Sequence, residues 1–385
     1  MRNYSKFFVS VVMPCLNEER GVGKCIEQIV WVMKKNKIKG EIIVVDNGST
    51  DNSIKIAKEA GAKVFREKKR GYGAAYLSGF SKAKGDVFIM GDSDGTYDFS
   101  FIPNFLKKIS EGYDFVNGSR LKGEIVPGAF RFSHRYIAVP VLTGILNTFF
   151  KTNFSDAHCG MRAFSRKAYL AMDLHCQGME FASEMIMKAA ASDLKTTEIP
   201  IRYLPRIGES KLVRFRDAWR HIRFMLLFTP TYLFIIPGAF FLFFGLASLL
   251  LMLPGPFWLF GHGFDIHAMI FVSGLAVLGL NILTLGLFAK IFALYGNLKL
   301  VKNPWVKLFI DNFNQESWLK LGLVFLLMGL AISLYVFLLW MKANFGPIFE
   351  IRAVILAFTL MILGAQIIFA SFFASLMIDR HKGLL

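Results

Sequence analysis

Through the first 120 residues, short apolar runs rich in β-branched side chains alternate with stretches whose apolar positions recur every three to four residues. The runs Phe8–Met13, Glu41–Val45, Lys63–Arg66, Asp86–Met90 and Phe115–Asn117 predict strands, and residues 20–36, 51–60, 72–84 and 100–111 predict the helices between them. Strands that are apolar on both faces and joined by helical crossovers predict a mostly parallel sheet with helices on both faces. Beyond residue 120 the pattern changes. "PVLTGILNTFFK" carries apolar doublets one helical turn apart, with Pro140 suited to a first turn. "KLVRFRDAWRHIRFMLLF" sets Leu212, Phe215, Trp219, Ile222 and Leu226 on one face beside Arg216, Arg220 and Arg223. Helices of this kind on residues 130–151 and 211–226 suit a lipid interface, or the flank of a soluble core.

Four longer apolar runs follow: Tyr232–Leu253, Met269–Tyr295, Leu319–Met341 and Ala353–Ile378. Each exceeds the ~20 residues that cross a bilayer. The second holds Asn281 and Lys290, and Lys290 lies near one end, where its ammonium can snorkel to the interface. The loop "PGPFWLFGHGFDI" has no Lys or Arg, whereas Lys299, Lys302, Lys307, Arg380 and Lys382 flank the other ends of the runs. An excess of positive charge marks the cytoplasmic side, so the N-terminal domain and the C-terminus are expected there, with Lys342 and Arg352 running against the trend. The expected division is residues 1–229, a soluble domain with its interfacial helices, and residues 230–385, a membrane domain of four spans. "MRNYSKFFVSVVMPC" passes directly into a strand and does not read as a signal peptide.

Charge sharpens the picture. The chain carries a formal net charge of +17, and most of it falls on residues 1–229, because residues 230–385 hold only nine Lys/Arg and five Asp/Glu. Such an excess implies an anionic partner, either a phosphate-bearing substrate or an anionic membrane surface. Nucleic acid is not expected, since no helix-turn-helix, zinc-finger or RNA-binding signature occurs. Cys15, Cys25, Cys159 and Cys176 lack the C-x2-C spacing of a zinc site and read as reduced thiols, in preference to two His–Cys ligand pairs at 158–159 and 175–176.

The chemistry concentrates where strands end. "VFIMGDSDGTYD" runs from an apolar strand into Asp92, Asp94 and Asp98. A D-x-D in that position can ligate a divalent cation through oxygen and leave coordination positions for a diphosphate; the alternative is a hydrated Asx turn. "MPCLNEE" and "VVDNGSTDNS" also follow strands, so three polar clusters would share the rim at which open α/β sheets bind ligands. Asp46 is placed to hydrogen-bond a base or ribose, and Ser49 or Thr50 to cap the following helix. In "RGYGAAYLSGF" the pair Gly71 and Gly73 lacks the third glycine of a dinucleotide fingerprint, but a helix N-terminus there could approach a ligand.

"PCLNEE", "VVDNGSTDNS", "RGYGAAYLSGF", "GDSDGTYD", "NGSRLKG", "SDAHCGMRAF" and "IPIRYLPRIGESKL" occur in the order found in family 2 glycosyltransferases, over residues 8 to about 225. Within that family the chain resembles the polyprenyl-phosphate sugar synthases that act on dolichyl or undecaprenyl phosphate. The resemblance implies an α/β GT-A nucleotide-sugar-binding domain followed by a four-helix transmembrane domain, a Mg²⁺ or Mn²⁺ ion, and transfer with inversion at the anomeric carbon. It implies that Pro14, Asn17, Glu18 and Asp46 hold the nucleotide, and that Asp92 and Asp94 serve the diphosphate and its metal. Arg120 and Arg206 match phosphate-contacting arginines, with Ser210 and Lys211 beside the second in "GESK". Arg131 or Arg135 would help receive the lipid phosphate. Asp156 matches an acid facing the transfer site. Relatives often carry Gln two residues past the second Asp, where this chain has Thr96, and Asp98 is a substitute candidate for that third ligand.

The implied reaction moves a hexose from a nucleotide sugar, UDP-glucose or GDP-mannose, to a polyprenyl monophosphate at the membrane. A phosphate monoester has its second pKa near ~6, so it is largely ionised at neutral pH and needs no strong base. Bringing two anions together is the harder task, and arginine forks suit it. A processive polysaccharide synthase would carry a Q-x-x-R-W motif, and none of Gln28, Gln177, Gln315 or Gln366 begins one. A non-catalytic lipid-linked-sugar translocator or scaffold is the third reading. The oligomeric state is open, a homo-oligomer included.

Overall fold

The computed structural model describes residues 6–208, 214–295 and 313–382. The chain divides into two compact units, Met1–Met225 and Leu226–Leu385.

In the first unit the predicted alternation is found. Strands β1 (Phe8–Cys15), β2 (Lys39–Asp46), β3 (Lys63–Arg66) and β4 (Val87–Met90) are joined by helices α1 (Val22–Lys35), α2 (Ser53–Glu59) and α3 (Tyr72–Lys82). Then come α4 (Ile102–Ser110), β5 (Phe115–Ser119), α5 (Val139–Phe150), β6 (Arg162–Ser165), α6 (Arg166–Met172), α7 (Phe181–Ala191), β7 (Thr196–Pro200) and α8 (Arg214–Leu227). The seven strands form one sheet in the order β3-β2-β1-β4-β6-β5-β7. It is parallel except for β6, which runs antiparallel to both β4 and β5.

Both faces of the sheet are covered, which is why its central strands read as unbroken apolar runs. Val9, Val11 and Met13 of β1 pack in one layer with Ile26 and Ile29 of α1 and Phe105 of α4. On the other face Phe80 of α3 stacks on Phe88 of β4 and meets Phe164 of β6 edge-on, and Tyr76 stacks on Phe181 of α7. Gly79 lets α3 lie against β1: a Cβ there would come within 2.4 Å of Val12. Register carries this order to the rim. Cys15 pairs with Asp46 and Asp46 with Arg66, so β1, β2 and β3 finish level.

The segment before α5 is exposed and amphipathic. Arg131, Phe132, Arg135, Tyr136 and Ile137 all face outward, with Phe132 74% exposed, while Leu142, Leu146 and Phe150 pack inward. In α8, Trp219 and Arg223 are exposed, whereas His221 and Met225 are buried. Both helices thus carry an inward face and an outward one. Leu212 lies outside the described residues.

Among the described residues the second unit contains four helices long and apolar enough to cross a membrane: Thr231–Met252, Ile266–Phe292, Gln315–Lys342 and Ile351–Ile378. The second and fourth are linked by hydroxyls, with Ser273 Oγ 2.7 Å from Thr359 Oγ1. A hydrogen bond of this sort between spans is favoured because lipid offers no alternative partner. Asp265 and Arg352 pair at the start of the second and fourth spans. Lys290, near the end of the second span, is 8% exposed.

Candidate active site

Three loops meet at the carboxyl ends of β1, β2 and β4, and hydrogen bonds across strands hold them in place. Asn17 leaves β1 with φ 52°, donating its backbone N–H to Ser49 Oγ at 2.9 Å and accepting from Thr50 N at 2.7 Å. The N–H of Glu18 donates to Ser53 Oγ at 2.8 Å. The Ser93 hydroxyl donates to the Pro14 carbonyl at 2.6 Å, which ties the acidic loop to β1. Asp46 is buried, and its carboxylate accepts from Ser49 N at 2.8 Å and Gly48 N at 3.2 Å. Asp46 therefore shapes its own loop. Ser49 and Thr50 do not cap α2, because both are engaged with Asn17; the N-cap position is Asn52, which makes no side-chain cap, and Asp51 accepts from Ser53 N at 3.0 Å.

The start of α3 is likewise occupied. Ala74 N donates to Gln177 O at 3.0 Å and Gly73 N to Gly178 O at 3.3 Å. A Cβ at Gly71 would lie 2.1 Å from Gln177 O. The glycine pair serves close packing against this segment, and the helix end offers no free N–H groups at these positions. The predicted approach of a ligand to it is not what the geometry favours.

The acid pair is the electrostatic centre. Asp92 Oδ1 accepts from Tyr72 Oη at 3.0 Å and Tyr76 Oη at 3.3 Å. Burial, and then the charge of Asp94, push the Asp92 carboxyl up to about 7, against the tyrosine hydrogen bonds and Arg206. Asp94 Oδ1 accepts from the Thr96 amide at 3.0 Å and hydroxyl at 2.6 Å, and its Oδ2 from Arg206 Nη1 at 2.8 Å. Through Nη2 the same guanidinium bonds Glu18. Arg206 is placed there because Leu204 N donates to Thr96 O and Ile207 N to Asp94 O, both at 2.9 Å. Its Nε is buried with no hydrogen-bond partner.

Two carboxylates one residue apart at a strand end, near enough for the charge of Asp94 to raise the pKa of Asp92, fit a hard divalent cation whose remaining ligands come from a diphosphate. Asp92 and Asp94 are the residues that would hold it. Among the described residues no group of three His, Cys, Asp or Glu gathers, either at the acid pair or at the His–Cys pairs. Asp98 is not the substitute ligand: its Oδ1 accepts from Gln28 Nε2 at 2.7 Å and Ser100 N at 2.9 Å and caps a helical turn. Thr96 supports Asp94.

Arg120 and Asp156 are brought together. Arg120 Nε donates to Asp156 Oδ2 at 2.6 Å and Nη2 to Oδ1 at 2.8 Å, and Asp156 is fully buried. Burial works against the guanidinium's charge, but Asp156 outweighs it and holds the pKa well above the ordinary arginine value. The Phe130 and Tyr203 rings pack on the guanidinium at 4.9 and 5.3 Å. Arg162, fully buried, organises the same loop by donating to the carbonyls of Ala157, Cys159 and Ala182. Arg131 and Arg135 sit apart on the exposed segment before α5, and Arg135 lies over the Tyr136 ring at 5.3 Å. Ser210 and Lys211 lie outside the described residues. Sequence reasoning missed Tyr72 and Tyr76; their i, i+4 spacing, which puts both on one helix face, was the available signal.

Family models bear directly on this geometry. Residues 10–171 match Glycosyl transferase family 2, and residues 287–378 match the Glycosyltransferase family 2 C-terminal transmembrane region. The low-salt glycan biosynthesis hexosyltransferase Agl6 of Haloferax volcanii is 40% identical over 94% of this chain and 87% of that protein. A dolichyl-phosphate hexose transferase of the same organism is 32% identical over 56% of this chain and 91% of its own length. A crystal structure of glucosyl-3-phosphoglycerate synthase from Mycobacterium tuberculosis with Mn²⁺, uridine diphosphate and glucosyl-3-phosphoglycerate is 20% identical over 57% of this chain and 78% of that chain, with a TM-score of 0.46. That likeness is too low to carry a residue or ligand across. With a mostly parallel sheet, an acid pair at its rim and, later in the chain, four helices among the described residues long and apolar enough to cross a membrane, the chain belongs to glycosyltransferase family 2, as an integral membrane enzyme.

Proposed function

We propose that the enzyme transfers a hexose from a nucleotide sugar, UDP-glucose before GDP-mannose, to a polyprenyl monophosphate. The products are polyprenyl-phosphate-hexose and a nucleoside diphosphate. The observation that carries this reading is the meeting of Asp92, Asp94 and Arg206 at the rim, in a chain whose own spans keep it at the bilayer. The names of the relatives support a hexosyl transfer and, in one case, a dolichyl-phosphate substrate.

The loops of Pro14, Asn17, Glu18 and Asp46 form the nucleotide side of the site. A Mg²⁺ or Mn²⁺ bound by Asp92 and Asp94 would neutralise the diphosphate and the charge that grows on it as it departs. An oxygen of the acceptor phosphate attacks C1 of the sugar; the C1–O bond to the diphosphate breaks and its electrons leave with the nucleoside diphosphate. No proton need move, because the acceptor is already ionised near neutral pH. Arg120 and Arg206 counter the repulsion between the two anions, and Asp156 acts as a positioning residue that fixes the Arg120 fork. Arg131 and Arg135, among exposed aromatics, meet the lipid surface and its phosphates. The resemblance also implies phosphate contacts for Ser210 and Lys211, which lie outside the described residues. The catalytic domain and C-terminus face the cytoplasm in this reading.

A polyprenyl tail cannot leave the bilayer cheaply, at ~0.8 kcal/mol per CH₂. The reaction must therefore run at the membrane plane. The test is incubation of membranes containing the enzyme with a panel of radiolabelled nucleotide sugars. Label from one of them should enter the organic extract as a lipid-linked hexose. Label appearing only in a water-soluble polymer would rule the reading out.

A further inference from the structure

Asn281 of the second span has no part in the transfer chemistry. It lies about 22 Å along the helix from Ile266 and about 16 Å from Phe292, well inside a ~30 Å hydrocarbon core. Its short side chain cannot reach water from there. Yet Asn281 is exposed, and among the described residues its side-chain amide meets no hydrogen-bond partner. Only its backbone carbonyl is engaged beyond the helix ladder, by Thr284 Oγ1 at 2.8 Å. Lipid chains offer an amide neither donor nor acceptor, so an outward Asn at this depth is costly unless another helix supplies one.

Asn281 belongs to a seam. Phe271, Gly274, Leu278, Asn281 and Leu285 follow one another at alternating steps of three and four residues, and all five are exposed. That alternation keeps a single stripe turned towards a partner helix along a left-handed crossing. The other sides of the span are taken. A Cβ on Gly279 would lie 2.3 Å from Leu242 N of the first span, and Ser273 bonds Thr359 of the fourth. Phe288, next in the series, turns to the fourth span and meets Phe373 edge-on at 4.7 Å, which closes the seam at that end. Gly274 differs from Gly279: a Cβ there would meet nothing within 4 Å, so nothing inside the chain requires a glycine. Against a second helix it would let two backbones approach closely.

We propose that the second span pairs with the second span of another copy of this chain, side by side in the same orientation, with Asn281 opposite Asn281 at a two-fold axis. An amide carries both donors and an acceptor, so two copies exchange hydrogen bonds across that axis. Copies inserted alike bring this residue to the same depth, a match that any other protein would have to supply with a polar group of its own. Gly274, two turns away on the same stripe, marks the close approach. A single polar position in an apolar seam also fixes register. The pairing does not depend on which sugar or acceptor the enzyme uses.

The test uses the full chain in liposomes, with copies fused at the C-terminus to donor or acceptor fluorophores and diluted by added lipid. Energy transfer in the wild type should follow a monomer–dimer curve. Asn281→Leu should need about tenfold more protein per lipid to reach the same transfer, whereas Asn281→Gln, which keeps the amide, should stay within about threefold. Gly274→Ile, which holds the backbones apart and leaves the amide, should also weaken pairing. Ile362→Ala, a change on the exposed side of the fourth span, should leave the curve in place. Oxidation of Leu278→Cys should give a covalent dimer beyond any formed by the native cysteines. A wild type with no transfer above the random level overturns the proposal. So does transfer untouched by both Asn281→Leu and Gly274→Ile, which would place any contact between copies elsewhere.

Discussion

Arg206 Nη1 donates to Asp94 Oδ2 at 2.8 Å, so one cation already balances the acid that a metal ion would use. The same guanidinium holds Glu18 of the loop after β1. Arginine and metal ion therefore compete for Asp94 until a diphosphate gives the arginine another anion. Replacing Arg206 with Gln is expected to tighten Mn²⁺ binding in the absence of nucleotide, read from the free Mn²⁺ resonance. It should also lower kcat/KM for transfer by about a hundredfold, the scale of losing one charge-stabilising donor. Lys at this position should recover only part of the rate, because it lacks the fork. Weaker Mn²⁺ binding in the Gln variant would mean that Arg206 helps to hold the ion.

The Arg120–Asp156 pair separates positioning from proton transfer. Asp156→Asn leaves a buried guanidinium without its counter-charge, a change that costs about 3–5 kcal/mol. A marked fall in Tm should accompany the loss of transfer. Replacing both residues with apolar ones should restore much of the Tm but none of the transfer. If Asp156→Asn abolished transfer and left Tm unchanged, Asp156 would be acting as a base.

Stability should also respond to pH through His158. Its Nδ1 is buried with no partner, its Nε2 meets Ser183 Oγ at 3.2 Å and it packs edge-on against His221. Burial, then the charges of His221, Arg162 and Arg120, hold its pKa well below 6.5. The unfolded chain takes up a proton near pH 6.5 that the folded chain refuses. This contribution is therefore complete above that pH and declines as the pH falls below it. From about pH 7 to about pH 5 the wild type should lose more Tm than His158→Gln. Parallel profiles would place the pH response elsewhere.

Much of this was legible in the sequence, for reasons that differ by residue. Strands β1, β2 and β4 could be read because burial on both faces makes them continuous apolar runs, whereas β3, at the sheet edge, is exposed at both ends. The short β6 could not, since it opens on Arg162, a residue that reads as surface and is in fact buried among carbonyls. Asp92 and Asp94 were visible as a D-x-D after a strand, but nothing local announces that Arg206, 112 positions beyond Asp94, would reach the second of them. The same holds for Arg120 and Asp156, 36 apart and joined only by the sheet.

The most direct test is glycolipid formation by the purified full chain, supplied with the preferred nucleotide sugar and polyprenyl monophosphate and followed by phosphorus NMR for the new phosphodiester. Chelation should stop the product, Mn²⁺ or Mg²⁺ should restore it, and Asp94→Asn should remain inactive with the ion present. Product formed at the wild-type rate under chelation, or by Asp94→Asn, would contradict an acid-held cation at the centre of the reaction.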